Sequence, residues 1–557
     1  EAIGSVLRAL SRLGITTNDS APSQALGQAP AATSQAKRKS PALAIAAVTV
    51  VALIAAIFLF KPSDEQPANE PSAPVTEEPA ATQPEAKPLD KNRIVLLPFN
   101  NIGTPGENDH IVEGIVDDLN TMLTNVEGLR VIGSASAKTY RDSDKTPAEI
   151  GQELNAGTLL QGSIQKTGSD LKINVRLIDT TSSENIWAKS FNGSENDRSK
   201  FQQEIIQSIV NKTKGTILNQ SELGSLTQGD TQSAEAYDLV KEGAELLEKG
   251  SREANQNANR LFLKAIDLDP SYVDAYSGLA RCAVMSPGLS LNHPNDAYAM
   301  ANKYSNEALR LNPSHIDSQT TKVSLTLQID RDTTKAMELA QGLLMNHPDN
   351  LRVLQEIGTI LSFSGKTDLA VSTLKKGLEL DPKNAKLHQN LAFVYLKSGE
   401  EELAETHNQK ALELNPNYQF ALHIRALILS EQQRYDLIEE QLLKAIEADD
   451  QNPVTIMSLG IVYWRAGKTE ESYKLLAELL DRRNFEYIKG GILTRFYMAI
   501  GEKEKAFKWL KKSRDEKDFD FINIFYWPLY NSARDDPEFI KIYKDAGVYE
   551  YLLKKDL

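Results

Sequence analysis

The chain has 557 residues, room for three or four domains at about 150 residues each, and its hydrophobic (41%) and charged (25%) fractions are ordinary for a globular protein. A net charge of −14 argues against nucleic acid as a partner, because a phosphate backbone is normally met by a basic face. The one cysteine, Cys282, excludes an internal disulfide or a thiolate metal cluster and is read as a buried structural thiol.

Residues 1–14 (EAIGSVLRALSRLG) place Ile3, Val6, Leu7, Leu10 and Leu13 on one helical stripe that ends at Gly14. The segment is too short to fold alone and is expected to be the end of a cytoplasmic domain preceding the chain. Residues 15–41 have the Ala, Ser, Gln, Thr and Pro composition of a linker. From Ala42 to Phe60 only Thr49 is polar. At 1.5 Å rise this run is about 28 Å long, close to the ~30 Å hydrocarbon core, and predicts one transmembrane helix. A cleaved signal peptide fits less well, since the run is long and PSDEQPANE offers no small-residue cleavage site. Lys37, Arg38 and Lys39 precede the span, whereas Lys61 is followed by Asp64, Glu65 and Glu70. The positive-inside rule then keeps the amino-terminal side in the cytoplasm and puts everything after Phe60 outside it. Residues 61–92 carry seven prolines and several acids, and are expected to form an extended spacer.

The pattern changes at Arg93. RIVLLPF reads as a strand buried on both faces, and HIVEGIVDDLNTMLTNV as a helix with Ile111, Ile115, Leu119 and Leu123 on one side. LRVIG is a second strand; TPAEIGQEL is a short helix with Thr146 at the N-cap and Pro147 at N1. GTLLQGSIQ and LKINVRLID form a hairpin around Thr167–Asp170, the latter alternating Leu171, Ile173, Val175 and Leu177 against Lys172, Asn174 and Arg176. ENIWAKSF is a last strand and KFQQEIIQSIVNKTKGTIL a closing helix. The order β-α-β-α-β-β-β-α predicts a small α/β domain with a mixed sheet over residues 93–218.

From Ser233 the chain is helical. Turn prolines at 270, 313, 348, 382, 416 and 453 are spaced 43, 35, 34, 34 and 37 residues apart. A period near 34 with one helix–turn–helix per unit is the tetratricopeptide signature, so 233–557 is predicted to be an all-α repeat superhelix. The best unit runs from Ala385 to Pro416, with Leu391, Ala392, Tyr395, Ala404 and Ala411 at its motif positions. Small residues let the paired helices approach closely, and the proline ends the second helix so that another begins. The extra length around SPGLSLNHPNDAY is read as a lengthened loop.

RIVLLPFNNIG, the GI..DL helix, the GS..K.G..L.I.V.LID hairpin and Trp187 resemble the TolB-like amino-terminal domain of bacterial receptors. The polar NGSENDRSKF before the last helix departs from that pattern. The resemblance implies an arrangement in which the domain sits between a membrane helix and tetratricopeptide repeats. It also implies a cytoplasmic output domain upstream: a winged-helix DNA-binding domain, a nucleotide cyclase or a protein kinase.

No catalytic motif, cofactor fingerprint or metal-ligand spacing emerges, so no enzyme activity is expected of these residues. The seven histidines are dispersed, and His388 and His407, in one repeat, are read as structural or solvated. What remains is a binding surface. The first helix of each repeat is expected to line a concave groove, carrying Arg352, Gln355, Phe363, Gln389, Phe393, Lys397, His423, Leu427, Met457, Trp464 and Arg465. Mixed aromatic, amide and basic residues suit an extended peptide, although Phe393 and Trp464 fit inter-repeat core equally well. The expectation is a single-pass protein of the bacterial inner membrane. Its periplasmic part binds protein or peptide partners, with a second copy of the chain among them, and signals to the upstream domain. An envelope assembly scaffold without signalling is the alternative.

Overall fold

The computed structural model describes residues 89–553, apart from 104–107, 249–250, 290, 417, 449–451 and 519. The expected span at 42–60, the stripe at 1–14, the linker at 15–41 and nearly all of the spacer at 61–92 lie outside the described residues. Among the described residues no helix is long and apolar enough to cross a membrane.

The first part is a six-stranded mixed sheet with helices on both faces. Strand β1 (Asp90–Leu96) leads through the short β2 (Asn100–Asn101) to α1 (Asp109–Thr124) and β3 (Arg130–Val131). Then come α2 (Ser134–Lys138), α3 (Pro147–Leu154), β4 (Ala156–Thr167), β5 (Asp170–Asp179), β6 (Glu184–Ser194) and α4 (Arg198–Lys214). The strand order is β3-β1-β4-β5-β6, with β2 beside β4. β1 runs parallel to β3 and β4, and the last three strands form an antiparallel meander.

The sequence patterns place these elements. Ile111, Ile115, Leu119 and Leu123 of α1 are all buried, against a sheet face that includes Ile94, Ile164 and Ile173. The Thr146 hydroxyl and the Glu149 carboxylate cap each other's backbone N–H groups at the start of α3, with Pro147 at N1. α2 and α3 cover only the β1 end of the other face, where Val95, Ile132, Ile150 and Leu159 pack. The rest of that face stays open.

A short helix α5 (Gln220–Leu226) leads to a right-sized series of helix pairs: α6 (Ala234–Glu248) with α7 (Arg252–Leu268), α8 (Val273–Met285) with α9 (Pro294–Leu311), and α10 (Ile316–Leu325) with α11 (Thr333–Asn346). α12 (Leu351–Phe363) pairs with α13 (Thr367–Leu380), α14 (Ala385–Ser398) with α15 (Glu401–Leu414), and α16 (Gln419–Glu431) with α17 (Asp436–Ala448). α18 (Pro453–Arg465) with α19 (Thr469–Arg482) and α20 (Gly490–Ala499) with α21 (Lys503–Asp515) complete the array. It is a tetratricopeptide-type superhelix. Ala392, Ala404 and Ala411 have no exposed surface, as close helix approach requires.

One sequence expectation about register is corrected. Pro453 is the first residue of α18, whereas the prolines at 270, 313, 348, 382 and 416 each precede their helix by three positions. α16 and α18 therefore start 34 residues apart, and the long interval falls one unit later. The extra length of the second unit is shared between the loop after Met285 and an 18-residue α9. The single extra residue before Pro348 is absorbed where α10 widens into a π turn at Thr326–Asp330.

The array closes on itself. Arg252 is 2.5 Å from Glu486, the His293 and Tyr487 rings meet edge-on at 5.3 Å, and Arg331 donates to the Arg514 carbonyl at 2.6 Å. The chain then turns inward as α22 (Phe521–Ile524), a 3-10 turn (Pro528–Ala533), α23 (Pro537–Asp545) and α24 (Tyr549–Leu553).

Candidate functional site

The expected groove residues sit on the first helices of their repeats, but the middle of the face they line is filled by the segment that follows α21. Trp527 stands 5.1 Å from the Phe393 ring and 5.2 Å from His423, with the Arg495 guanidinium 5.4 Å from its centroid. Phe363 and Phe420 meet Phe393 edge-on at 5.4 Å each. Gln389, Phe393, His423 and Met457 are at most 3% exposed, so they are not open to a peptide. This corrects the open groove: Phe393 is core, its ring packed among those of Phe363, Phe420 and Trp527. His423 bonds the Ser458 hydroxyl at 2.6 Å, and burial, with Arg495 nearby, pushes its pKa well down.

Lys397 is the most unusual of the set. Its ammonium lies 4.3 Å from the Phe393 centroid and 5.2 Å from Tyr526, and donates to the Ser362 carbonyl. Among the described residues no carboxylate pairs with it, and burial plus the positive Arg534 lower its pKa to about 7. Gly365 makes room for this packing: at φ +71, a Cβ there would lie 2.1 Å from the Tyr526 ring. The remaining expected residues are half-buried and engaged. Arg352 pairs with Asp317 at 2.6 Å and Glu356 at 3.0 Å. Gln355 accepts from Asn384 at 3.1 Å, and Arg465 reaches Glu431 at 2.7 Å. The Trp464 ring meets Tyr473 edge-on, and Leu427 packs against the core around Phe393.

Two features were not visible in the sequence. The first is the seam between the α/β domain and the array. At one end Asp118 of α1 takes bonds from the Tyr237 hydroxyl at 2.7 Å, Gln202 at 3.2 Å and the Lys241 ammonium. Arg198, the first residue of α4 and part of the polar NGSENDRSKF stretch that departs from the TolB-like pattern, stacks 3.4 Å from the Tyr237 centroid. At the other end the Asp381 carboxylate accepts from the Ser136 amide and hydroxyl at 2.8 and 2.5 Å, and Gly133 N–H donates to the Leu380 carbonyl at 2.9 Å. Asp381 is the residue before a turn proline. Its counterparts do related work: Asp269 accepts from Thr231, and Asn312 donates to the Gln228 carbonyl at 2.8 Å. Three of the Asx-Pro turns thus hold either the α/β domain or the segment that connects it to the array.

The second is the open part of the sheet. A cleft of about 610 Å³ lies over Gln161 and Ser163 of β4, Asn174 and Arg176 of β5 and Ser190 of β6, walled by Arg141 and Lys145. Arg141 is paired with Glu113, and Lys145 with Glu153. Arg176 bonds the Gln161 amide oxygen at 3.0 and 2.6 Å, and among the described residues no carboxylate pairs with it. The alternation of β5 announced a polar face here, but not the wall that turns it into a cleft.

Comparison with known proteins gives three kinds of likeness. Residues 90–208 match the family model described as HilA/YgeH-like transcriptional regulator, second domain, and residues 363–427 match a tetratricopeptide repeat model. A putative adenylate cyclase 3 from Rhizobium meliloti (strain 1021) is 27% identical over 228 residues, which is 41% of this chain and 37% of that protein. The chain thus matches little more than a third of that relative's length. Among solved structures, the human IFIT1 dimer with m7Gppp-AAAA aligns over 56% of this chain and 76% of its own at 18% identity and a TM-score of 0.39. Yeast Tom70 aligns over 63% and 82% at 16% identity and a TM-score of 0.34. The chain is a bacterial protein with a small mixed-sheet domain and a tetratricopeptide superhelix.

Proposed function

We propose that the chain is the sensing and scaffolding part of a bacterial signalling protein, anchored by residues 42–60, with residues 89–557 outside the cytoplasm. The observation that carries this reading is the seam. The α/β domain is fastened both to α6 and to the turn between α13 and α14, through Lys241–Asp118 and Ser136–Asp381. A partner held on the repeats therefore moves the domain as one body with them. That body would pass the event towards the anchor and an upstream output domain. The likenesses to a transcriptional regulator's second domain and to a cyclase point to the same setting. With the middle of the inner groove filled, the outer helices and the sheet cleft beside Arg176 are the surfaces offered to partners.

Paired reporters fused after Leu557 test the topology. Activity of a periplasm-dependent reporter, and silence of a cytoplasm-dependent one, is the expected result. The reverse pattern would reject the reading.

A further inference from the structure

Two imidazoles of the α14–α15 hairpin face each other. The Nδ1 atoms of His388 and His407 are 3.0 Å apart, and the ring centroids 5.2 Å. His388 Nε2 lies 3.0 Å from the Pro382 carbonyl oxygen. A carbonyl only accepts, so His388 carries its proton on Nε2 and turns the Nδ1 lone pair towards His407. His407 then bridges the gap with a proton on its own Nδ1. The Tyr395 ring stacks on His407, 5.6 Å between centroids and 25° between planes, and fixes its orientation. Both rings are half-buried, and burial lowers both pKa values, His407 to about 4 with help from His388 and Lys375.

We propose that this pair is a binding site for a divalent transition metal of the imidazole-preferring class, zinc, nickel or copper(II). Neutral imidazoles are the ligand form, so no charge has to be displaced at neutral pH. A tetrahedral ion with bonds of ~2.0–2.1 Å needs its two nitrogens about 3.3–3.4 Å apart, a few tenths of an ångström more than the pair now shows. The His388–Pro382 hydrogen bond is the outer-shell contact that orients a metal-bound histidine. On binding, the His407 proton moves from Nδ1 to Nε2, both Nδ1 lone pairs go to the metal, and no proton is lost. Among the described residues no group of three or more His, Cys, Asp or Glu gathers to hold an ion, so water completes the shell. Lys375 and Lys410 lie near the rings, and with two protein ligands this makes a modest, exchangeable site rather than a structural zinc. The ion would clasp the two helices of the repeat that best fits the motif.

Calorimetric titration of the untagged full chain with NiCl2 and ZnCl2 tests this. One site per chain is expected, with binding weakened at least tenfold in His388→Ala and in His407→Ala and unchanged in His293→Ala. MgCl2 should not bind. His407→Gln keeps an amide that can donate to His388 Nδ1; it should match the wild-type melting temperature without metal and still lose the site. Substoichiometric Cu²⁺ should show hyperfine coupling to two imidazole nitrogens. No binding, binding that survives in His407→Gln, or copper held by oxygen alone would overturn the proposal.

Discussion

At the residue scale, the charges on the first helices form a ladder rather than isolated pairs. His315 Nε2 is 3.1 Å from Asp274, while Asp317, Arg352, Glu356 and Lys386 continue the alternation. Burial opposes the Asp274 charge, but the His315 bond and Lys241 outweigh it and hold its pKa near about 2. Burial likewise opposes the His315 charge, and the Asp274 bond and charge outweigh it, so its pKa is raised. The lowered Asp274 value adds stability above about pH 4, lost as pH falls towards about 2. The raised His315 value adds stability below about pH 6.5, lost as pH climbs through that raised value. A double-mutant cycle of Asp274→Asn and His315→Gln should therefore show stronger coupling at about pH 5.5 than at about pH 9, where only the neutral hydrogen bond is left. Although neighbouring atoms crowd its carboxylate, 42% of the Asp274 side chain still meets water, so screening limits that coupling to about 1 kcal/mol. Equal coupling at both pH values in denaturant titrations would contradict the assignment.

At the scale of elements, the inward turn after α21 decides what the array can hold. Phe521, Ile524, Trp527, Tyr530, Phe539 and Tyr543 are each at most 2% exposed. Burying six such side chains is worth roughly 10–20 kcal/mol before chain entropy is counted. The segment also has the advantage of being tethered to the array, so a peptide competing for the same face must outweigh both its burial and its high local concentration. Trp527→Ala should cost about 3–5 kcal/mol by chemical denaturation, and Phe393→Ala a similar amount. A silent Phe393→Ala would show that its ring faces solvent. The sequence pointed to Phe393 as a candidate for groove or core, but not to the 521–530 aromatic run or Phe420 as its neighbours. Their meeting was not legible, because periodicity shows which side of a helix is apolar and not which segment, more than a hundred residues away, will cover it.

At the scale of the molecule, the seam joins what sequence patterns divide into two domains. Asp381→Ala would leave the buried Ser136 amide without its acceptor, a loss of about 1–3 kcal/mol. The Asp381 pKa is raised, burial outweighing the Ser136 and Asn384 bonds, so the carboxylate is held against a desolvation cost. Scanning calorimetry of Asp381→Ala should split off an earlier transition for the α/β domain. A single transition at the wild-type temperature would mean that the two parts melt independently of this contact.

Local regularities sufficed for the helix period, the small-residue packing of the repeats, the Thr146 capping box and the alternating β5, because each depends on neighbours within a few dozen residues. The same local reach read Pro453 as one more turn proline, although it opens α18. Closure of the array, the filled groove and the docking of Asp381 on Ser136 were decided by tertiary structure alone. Asp381 and Ser136 are 245 positions apart. An Asp before a proline looks the same in sequence whether its carboxylate meets water or the backbone of another domain. The superhelix curvature brings these groups together, and it accumulates from small rotations at every helix pair, which no single stretch of the chain contains.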